Sequence, residues 1–156
     1  MLAAVHLWRK VGNGTTLRLT SFEKHPMQAE QVARALSQWP ELADLSEELV
    51  AQLPGPHLSL SGVQLTLIVG DVADTVPDWG GSADAWFLDG FAPSRNPQMW
   101  AAPILNAVAR HTPAGGTFAT YTAAGFVRRN LQAAGFDVQK RKGFGSKREM
   151  LTGRKP

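Results

Sequence analysis

Cysteine is absent from the 156 residues. Its absence excludes a disulfide-linked scaffold, a thiolate metal site and a cysteine nucleophile. No run of about 18 apolar residues occurs, which excludes a membrane-spanning helix. Residues 1–11 carry Arg9 and Lys10 after their apolar part, and no small-residue cleavage site follows, so this stretch is not a secretory signal. We therefore expect a soluble cytoplasmic protein that does not contact membranes.

Histidine is scarce as well, since the chain contains four. They lie far apart, without the short spacing of metal ligands found in zinc and related sites. We expect no metal. The four are His6, His25, His57 and His111.

The charge of the chain is small in sum and uneven in distribution. Residues 1–127 carry seven Lys and Arg against eleven Asp and Glu, a net charge of −4, whereas residues 128–156 carry nine against two, a net charge of +7. A basic end on an acidic body is typical of a protein that binds a polyanion. The alternative is a solvated basic surface without a partner. Length and composition, with 44% hydrophobic residues, predict one globular domain over 1–156.

Short β-rich runs alternate with helical periods along the chain. This alternation predicts an α/β domain with a mostly parallel sheet. An antiparallel strand pair is expected at the C-terminal end, over 138–141 and 148–152. Residues 1–11 are expected to form a helix whose inner face is either Leu2, Val5 and Trp8, or Ala4, Leu7 and Val11. The other predicted strands are 17–22, 65–69, 85–88 and 117–121.

Carboxylates follow three of these strands, namely Glu23, Asp71 and Asp89. Ligands bind at the carboxyl ends of parallel strands, and an acid at such a position is suited to accept hydrogen bonds from ribose hydroxyls or an exocyclic amine. The alternative for each is helix N-capping. Three such carboxylates on one sheet edge favour a cofactor that contains a nucleoside.

Asp89 lies in an apolar loop, with Phe91 and Pro93 close behind it. A carboxylate beside an aromatic ring and a stiff proline turn is suited to bind a flat base and a cationic amine together. The alternative is a structural aspartate in a proline-rich turn.

Longer segments resemble a known family. They are DAWFLDGFAPSRNPQMW at 84–100, the run from Thr112 to Phe136, KRKGFGSKREML at 140–151 and SFEKHP at 21–26, with WPEL at 39–42 and Gly70-Asp71. Together they resemble the methyltransferase domain of MnmC-type tRNA-modifying enzymes, over nearly the whole chain from about Thr20.

The resemblance implies a Rossmann-like class I methyltransferase fold that uses S-adenosylmethionine. It also implies the activity, a tRNA 5-methylaminomethyl-2-thiouridine methyltransferase that methylates the amine of a 5-aminomethyl group on the wobble uridine. In some bacteria the domain is fused to a flavin-dependent oxidase that prepares this amine. Because nothing follows Pro156 here, we expect a stand-alone form without flavin and a separate upstream oxidase.

The resemblance also implies roles for individual residues. Glu23, with Lys24, is placed at the cofactor ribose, and Asp71, with Val72, beside the adenine. Asp89 is placed at both the cofactor and the substrate. Asp89 and Phe91 are implied as catalytic residues, and Phe91 is expected to stack on the uracil ring. Pro93 is implied in substrate binding.

The basic C-terminal segment is expected to contact tRNA phosphates, because each neutralised phosphate adds salt-dependent affinity. Its cations flank Phe144, which stands between two glycines. They are Lys140, Arg141, Lys142, Lys147 and Arg148.

One part of the family pattern is missing. Family members carry a glycine-rich loop of the type ETGFGTGLNF after the first, central strand, and this chain begins just beyond it; Gly12-Asn13-Gly14 is no substitute. We therefore expect the central strand to be missing and S-adenosylmethionine to bind weakly or not at all. The main alternative is a non-catalytic remnant that binds RNA or a partner protein. A nicotinamide-dependent oxidoreductase is disfavoured because it needs a G-x-G-x-x-G loop.

Overall fold

The computed structural model describes residues 1–11, 14–60, 62–145 and 147–156. The chain forms two compact units, Met1–Asp71 and Val72–Pro156. Each unit contains its own sheet and its own helices, and each is described by itself below.

The first unit consists of three helices and a three-stranded sheet. Its elements are α1 (Leu2–Val11), β1 (Leu17–Glu23), α2 (Ala29–Leu36), a 3₁₀ helix (Pro40–Leu42), α3 (Ala43–Val50), β2 (His57–Leu60) and β3 (Val63–Val69). The strand order is β1-β3-β2, with β1 and β3 parallel. Glu23 is the partner of Val69 in this register, so both strands end at the same level.

Strand β2 was not predicted. It pairs antiparallel with β3, from His57 opposite Thr66 to Leu60 opposite Val63. Four residues after a Pro-Gly-Pro turn give only a weak strand pattern, although Leu58 and Leu60 alternate with polar residues and are buried. Tertiary pairing with β3, rather than local preference, stabilises this strand.

Helix α1 confirms the first of its two predicted faces. Leu2 and Val5 are buried in the hydrophobic core of this unit, and Trp8 packs against it. The alternative face is wrong, because Leu7 and Val11 are 62% and 70% exposed. The buried members of this core are Leu2, Val5, Leu45, Leu49, Leu58, Leu60, Val63 and Leu65.

The second unit consists of three helices and a four-stranded sheet. Its elements are α4 (Val72–Thr75), β4 (Ala85–Phe87), a 3₁₀ helix (Pro97–Trp100), α5 (Ala102–Arg110), β5 (Thr117–Thr120), α6 (Gly125–Ala133), β6 (Asp137–Lys142) and β7 (Glu149–Arg154). The strand order is β4-β5-β7-β6. Strands β4 and β5 are parallel, whereas β7 is antiparallel to both of its neighbours. The predicted antiparallel C-terminal pair is confirmed.

The helices of this unit bury the side chains that the helical spacing predicts. Val127 and Leu131 of α6 are fully buried. Helix α6 ends at a left-handed glycine, Gly135 (φ +97°), and the N–H groups of Gly135 and Phe136 donate to the carbonyls of Gln132 and Leu131. This pairing is a Schellman motif, and glycine adopts its left-handed conformation without steric cost.

Both sheets are mixed. Among the described residues, two strand pairings are parallel and three are antiparallel. Within the described part of the chain, β1 and β4 lie at sheet edges. The missing central strand stays a prediction. No helix in residues 1–11, 14–60, 62–145 and 147–156 is long and apolar enough to cross a membrane.

Candidate functional site

Three of the residues predicted to bind the cofactor, Glu23, Lys24 and Asp71, lie together at the carboxyl ends of β1 and β3. The N–H of Gly70 donates to the carbonyl of Glu23 at 3.0 Å, which joins the two strand ends. The Glu23 side chain is exposed and accepts a hydrogen bond from Ser21 Oγ at 3.1 Å. Since an ionised carboxylate offers about four lone-pair sites, it has capacity for further donors.

Lys24 and Asp71 form an ion pair across this edge. Lys24 Nζ lies 2.7 Å from Asp71 Oδ2, and the two side chains are 61% and 39% exposed. An exposed pair of this kind contributes at most about 1 kcal/mol to stability, so it constrains the two side chains only weakly. Val72, also predicted to bind the cofactor, begins α4 directly after Asp71.

The helix-capping alternative is wrong for two of the three carboxylates. Helix α2 begins at Ala29 and its N-cap is Gln28, five residues beyond Glu23. Asp89 is followed by an irregular loop, and the next helical turn begins only at Pro97. Asp71 directly precedes α4, so capping stays an alternative there.

The side chains at this edge fit a nucleoside cofactor. Glu23 presents an exposed carboxylate at the end of a parallel strand, which is the position and the chemistry that bind ribose hydroxyls in such sheets. The roles of Glu23, Lys24, Asp71 and Val72 toward the cofactor stay predictions.

The backbone of the Asp89 loop is fixed by hydrogen bonds on both sides. The N–H of Leu88 donates to the Ala119 carbonyl at 2.9 Å, which continues the pairing of β4 with β5. The Tyr121 hydroxyl donates to the carbonyls of Asp89, at 3.0 Å, and Gly90. The indole Nε1 of Trp100 donates to the Phe91 carbonyl at 2.9 Å.

The end of the Met99 side chain packs closely under the loop at Gly90. A Cβ there would lie 2.7 Å from Met99 Cε and 3.3 Å from Met99 Sδ. Trp100 is only 2% exposed, and its carbonyl accepts a hydrogen bond from Asn130 Nδ2 of α6 at 3.0 Å. The loop is therefore attached to the core of the second unit.

The side chains of this loop point to solvent, in contrast to its backbone. Asp89 is exposed, and Phe91 is 74% exposed. Pro93 is half-buried within a turn in which the N–H of Arg95 donates to the Ala92 carbonyl at 2.8 Å. A fixed backbone that presents a carboxylate and a phenyl ring is suited to bind a cationic, aromatic ligand.

The β6–β7 hairpin carries the predicted phosphate-binding cations. Arg141, Lys142 and Arg148 are exposed. Lys140 Nζ lies 2.8 Å from Glu149 Oε2, so part of its charge is neutralised within the hairpin. The contribution of all five cations to RNA binding stays a prediction.

Tyr121 joins this hairpin to the Asp89 loop. Its hydroxyl contacts the loop, and Lys147 Nζ lies over its ring at 5.8 Å from the centroid. The second unit thus brings together Asp89, Phe91, Pro93 and one of the predicted cations. That this group shares a crevice with Glu23 and Asp71 stays a prediction.

Sequence reasoning missed Tyr121 and Trp100 as loop supports. Tyr121 is the only tyrosine of the chain and directly follows β5, the neighbour of β4. Because parallel strands end at the same edge, a residue after β5 is expected near one after β4. Trp100 gives no comparable signal. No cluster of three potential metal ligands occurs among the described residues.

A family model described as S-adenosyl-L-methionine-dependent methyltransferase matches residues 30–156. The chain belongs to this methyltransferase family. The methyltransferase is 51% identical over 144 residues to the tRNA 5-methylaminomethyl-2-thiouridine biosynthesis bifunctional protein MnmC of Ectopseudomonas mendocina. This match covers 88% of the chain and 22% of that protein, so the methyltransferase spans under a quarter of this relative's length.

Solved structures confirm the predicted class I methyltransferase fold. The methyltransferase is similar to MnmC2 from Aquifex aeolicus, with a TM-score of 0.79 at 23% identity over 99% of this chain and 49% of that one. It is also similar to S-adenosylmethionine-bound CalS10, an amino pentose methyltransferase from Micromonospora echinaspora, with a TM-score of 0.51 at 12% identity over 99% of this chain and 90% of that one.

Proposed function

We propose that this methyltransferase transfers a methyl group from S-adenosylmethionine to the amine of a 5-aminomethyl group on the wobble uridine of tRNA. The similarity to MnmC supports the substrate class. The observation that carries the proposal is the Asp89 loop, which presents an exposed carboxylate and an exposed phenyl ring on a backbone fixed by Tyr121 and Trp100.

The carboxyl ends of β1 and β3 bind the methyl donor. Glu23 accepts hydrogen bonds from the ribose hydroxyls, while Lys24 and Asp71 lie toward the base. S-adenosylmethionine would supply an electrophilic methyl group, whose bond to sulfur breaks as the bond to the amine nitrogen forms, with S-adenosylhomocysteine as the leaving group.

The substrate amine must lose its proton before it can react. An alkylamine has a pKa near about 10, by analogy with lysine, so it is largely protonated at neutral pH. Asp89 attracts and orients the ammonium group, which loses its proton to solvent before it reacts. Phe91 stacks on the uracil ring and Pro93 borders it, so that the amine is held in position.

The remaining tRNA contacts are made by the basic hairpin. Arg141, Lys142, Lys147 and Arg148 bind phosphates, with a smaller contribution from Lys140 because Glu149 pairs with it. The primary amine must be supplied by a preceding reaction, which we assign to a flavin-dependent oxidase. The protein acts in the cytoplasm, where tRNA is found.

Transfer of labelled methyl groups to tRNA that carries 5-aminomethyluridine tests this function. The assay compares the 156-residue chain with the same chain preceded by a strand and a glycine-rich loop of the ETGFGTGLNF type. We expect transfer by the extended chain, a strong loss in Asp89→Asn, and little change in Asp44→Asn, which alters an exposed carboxylate on α3. An extended chain that binds both the donor and tRNA but transfers no methyl group contradicts the proposal and favours a non-catalytic RNA-binding protein.

A further inference from the structure

Phe144 at the tip of the β6–β7 hairpin is 93% exposed, more than any other large hydrophobic side chain among the described residues. The turn is closed by hydrogen bonds from the Gly143 N–H to the Arg148 carbonyl, at 3.1 Å, and from the Lys147 N–H to the Phe144 carbonyl, at 3.2 Å. The ring is therefore exposed beside two backbone hydrogen bonds and contributes nothing to the buried core.

The two flanking glycines are needed for this turn. A Cβ at Gly143 would lie 2.3 Å from the Lys147 carbonyl oxygen, and Gly145 has a φ of +61°, which side chains disfavour. The turn thus favours glycine on both sides of a single exposed phenyl ring.

The surroundings of the ring favour RNA over a protein partner. Five cations lie within four residues of this exposed ring, namely Lys140, Arg141 and Lys142 before it and Lys147 and Arg148 after it. An aromatic ring between cations is typical of single-stranded nucleic-acid binding, where the ring stacks on a base and the cations bind the phosphates on either side.

The hairpin tip also lies beside the candidate active-site loop. Lys147, three residues from Phe144, lies over the ring of Tyr121, whose hydroxyl donates to the Asp89 carbonyl. A base that stacks on Phe144 is therefore expected to be near, in the RNA sequence, to a base held at Asp89.

We infer that Phe144 stacks on an unpaired RNA base next to the base held by the Asp89 loop, and so selects unpaired over duplex RNA. The inference rests on the proposed function in that its partner is RNA. It adds a contact that depends on the base being unpaired, whereas phosphates are open to the cations in loops and in duplexes alike.

The test uses the 156-residue chain and two RNAs with equal numbers of phosphates. One is a stem–loop with 2-aminopurine among its unpaired bases, and the other is a complete duplex. Phe144→Ala is compared with Phe144→Trp, which keeps a stacking ring, and with Leu7→Ala, which removes an exposed side chain from α1. No methyl donor is added, so that the result is independent of catalysis.

We expect Phe144→Ala to bind the stem–loop roughly 5- to 150-fold more weakly, the range for loss of one stacking ring. Its binding to the duplex and the salt dependence of binding stay as in the wild type. Phe144→Trp retains binding, and its indole fluorescence changes when the stem–loop binds. The change in 2-aminopurine fluorescence that the wild type causes on binding is lost in Phe144→Ala and kept in Leu7→Ala.

Three results would overturn the inference. They are equal binding of the stem–loop by wild type and Phe144→Ala, an equal loss on stem–loop and duplex, and no preference of the wild type for unpaired RNA. Binding of anionic lipid vesicles through Phe144, without RNA binding, would also contradict it. If Phe144 makes no difference to RNA binding but methyl transfer occurs, the inference is wrong and the proposed function stands. If Phe144 is needed for the preference for unpaired RNA but no methyl transfer occurs, the inference stands and the proposed function is wrong.

Discussion

Replacement of Tyr121 by phenylalanine tests whether its hydroxyl holds the Asp89 loop. The hydroxyl has one proton, which it shares between the carbonyls of Asp89 and Gly90, so we count it as one hydrogen bond. A hydrogen bond of this kind contributes about 1 kcal/mol net. Asp89 is exposed and Gly90 is half-buried, so that water can replace the lost donor and the cost stays near or below this value. The phenyl ring, and with it the contact to Lys147, is kept.

We expect a local effect from Tyr121→Phe. The amides of Gly90 and Phe91 exchange about five-fold faster, which corresponds to about 1 kcal/mol in the opening of the loop, while the melting temperature falls by no more than about 4 °C. Hydrogen-exchange mass spectrometry and thermal unfolding measure the two effects. Thr66→Val is the matched control, since it removes a hydroxyl that lies 3.5 Å from His57 Nδ1 in the first unit and should leave the loop unchanged.

Unchanged exchange of the loop amides in Tyr121→Phe would refute this reasoning, because it would show that Trp100 and the β4–β5 pairing hold the loop without the hydroxyl. A loss of several kcal/mol in global stability would refute it in the opposite direction, since the hydroxyl would then support the whole second unit.

Further predictions concern packing, charge and pH. Leu131→Ala, at a fully buried position of α6, should lower the free energy of unfolding in urea by about 2–5 kcal/mol; a loss below about 1 kcal/mol would contradict tight packing there. Arg141→Gln and Lys142→Gln should each flatten the salt dependence of stem–loop binding by about 0.7 in the log–log slope. Lys140→Gln should have less effect, because Lys140 pairs with Glu149, and equal slopes in all three variants would contradict this ranking. Methyl transfer at saturating donor should rise about tenfold per pH unit up to about pH 9, since the reactive neutral amine increases in that proportion below its pKa; a rate independent of pH would refute attack by an amine that is protonated at neutral pH.

Local patterns predicted most of the elements. The period of Val127 and Leu131, followed by Gly135, predicted α6 and its left-handed end, because apolar spacing and a C-terminal glycine both act within a few residues. The basic pair β6 and β7 was predicted for the same reason, since its two strands are close in sequence.

The features that the sequence did not predict depend on contacts between distant residues. Strand β2 exists because it pairs with β3, and its four residues alone carry too little pattern. Likewise, the support of the Asp89 loop by Tyr121 joins residues 32 apart. The strand predicted at 85–88 is apolar, yet Phe87 is 67% exposed, because β4 lies at the edge of its sheet among the described residues.

The carboxylates after the strands were predicted because their type and position carry chemical meaning without tertiary detail. The structure places Glu23 and Asp71 at one edge and pairs Asp71 with Lys24, a contact that no local pattern indicates. Their predicted function depends on a ligand, and sequence position alone does not determine how a ligand is held.

Calorimetric titration with S-adenosylmethionine tests the central claim most directly, namely that the carboxylate at the end of β1 holds the methyl donor. The titration uses the chain preceded by a strand and a glycine-rich loop, together with its Glu23→Ala and Glu47→Ala variants, the latter altering an exposed carboxylate of α3. We predict binding that Glu23→Ala weakens at least about tenfold, since a charge-assisted hydrogen bond is lost, and that Glu47→Ala leaves unchanged. Equal affinity of the wild type and Glu23→Ala would contradict the account.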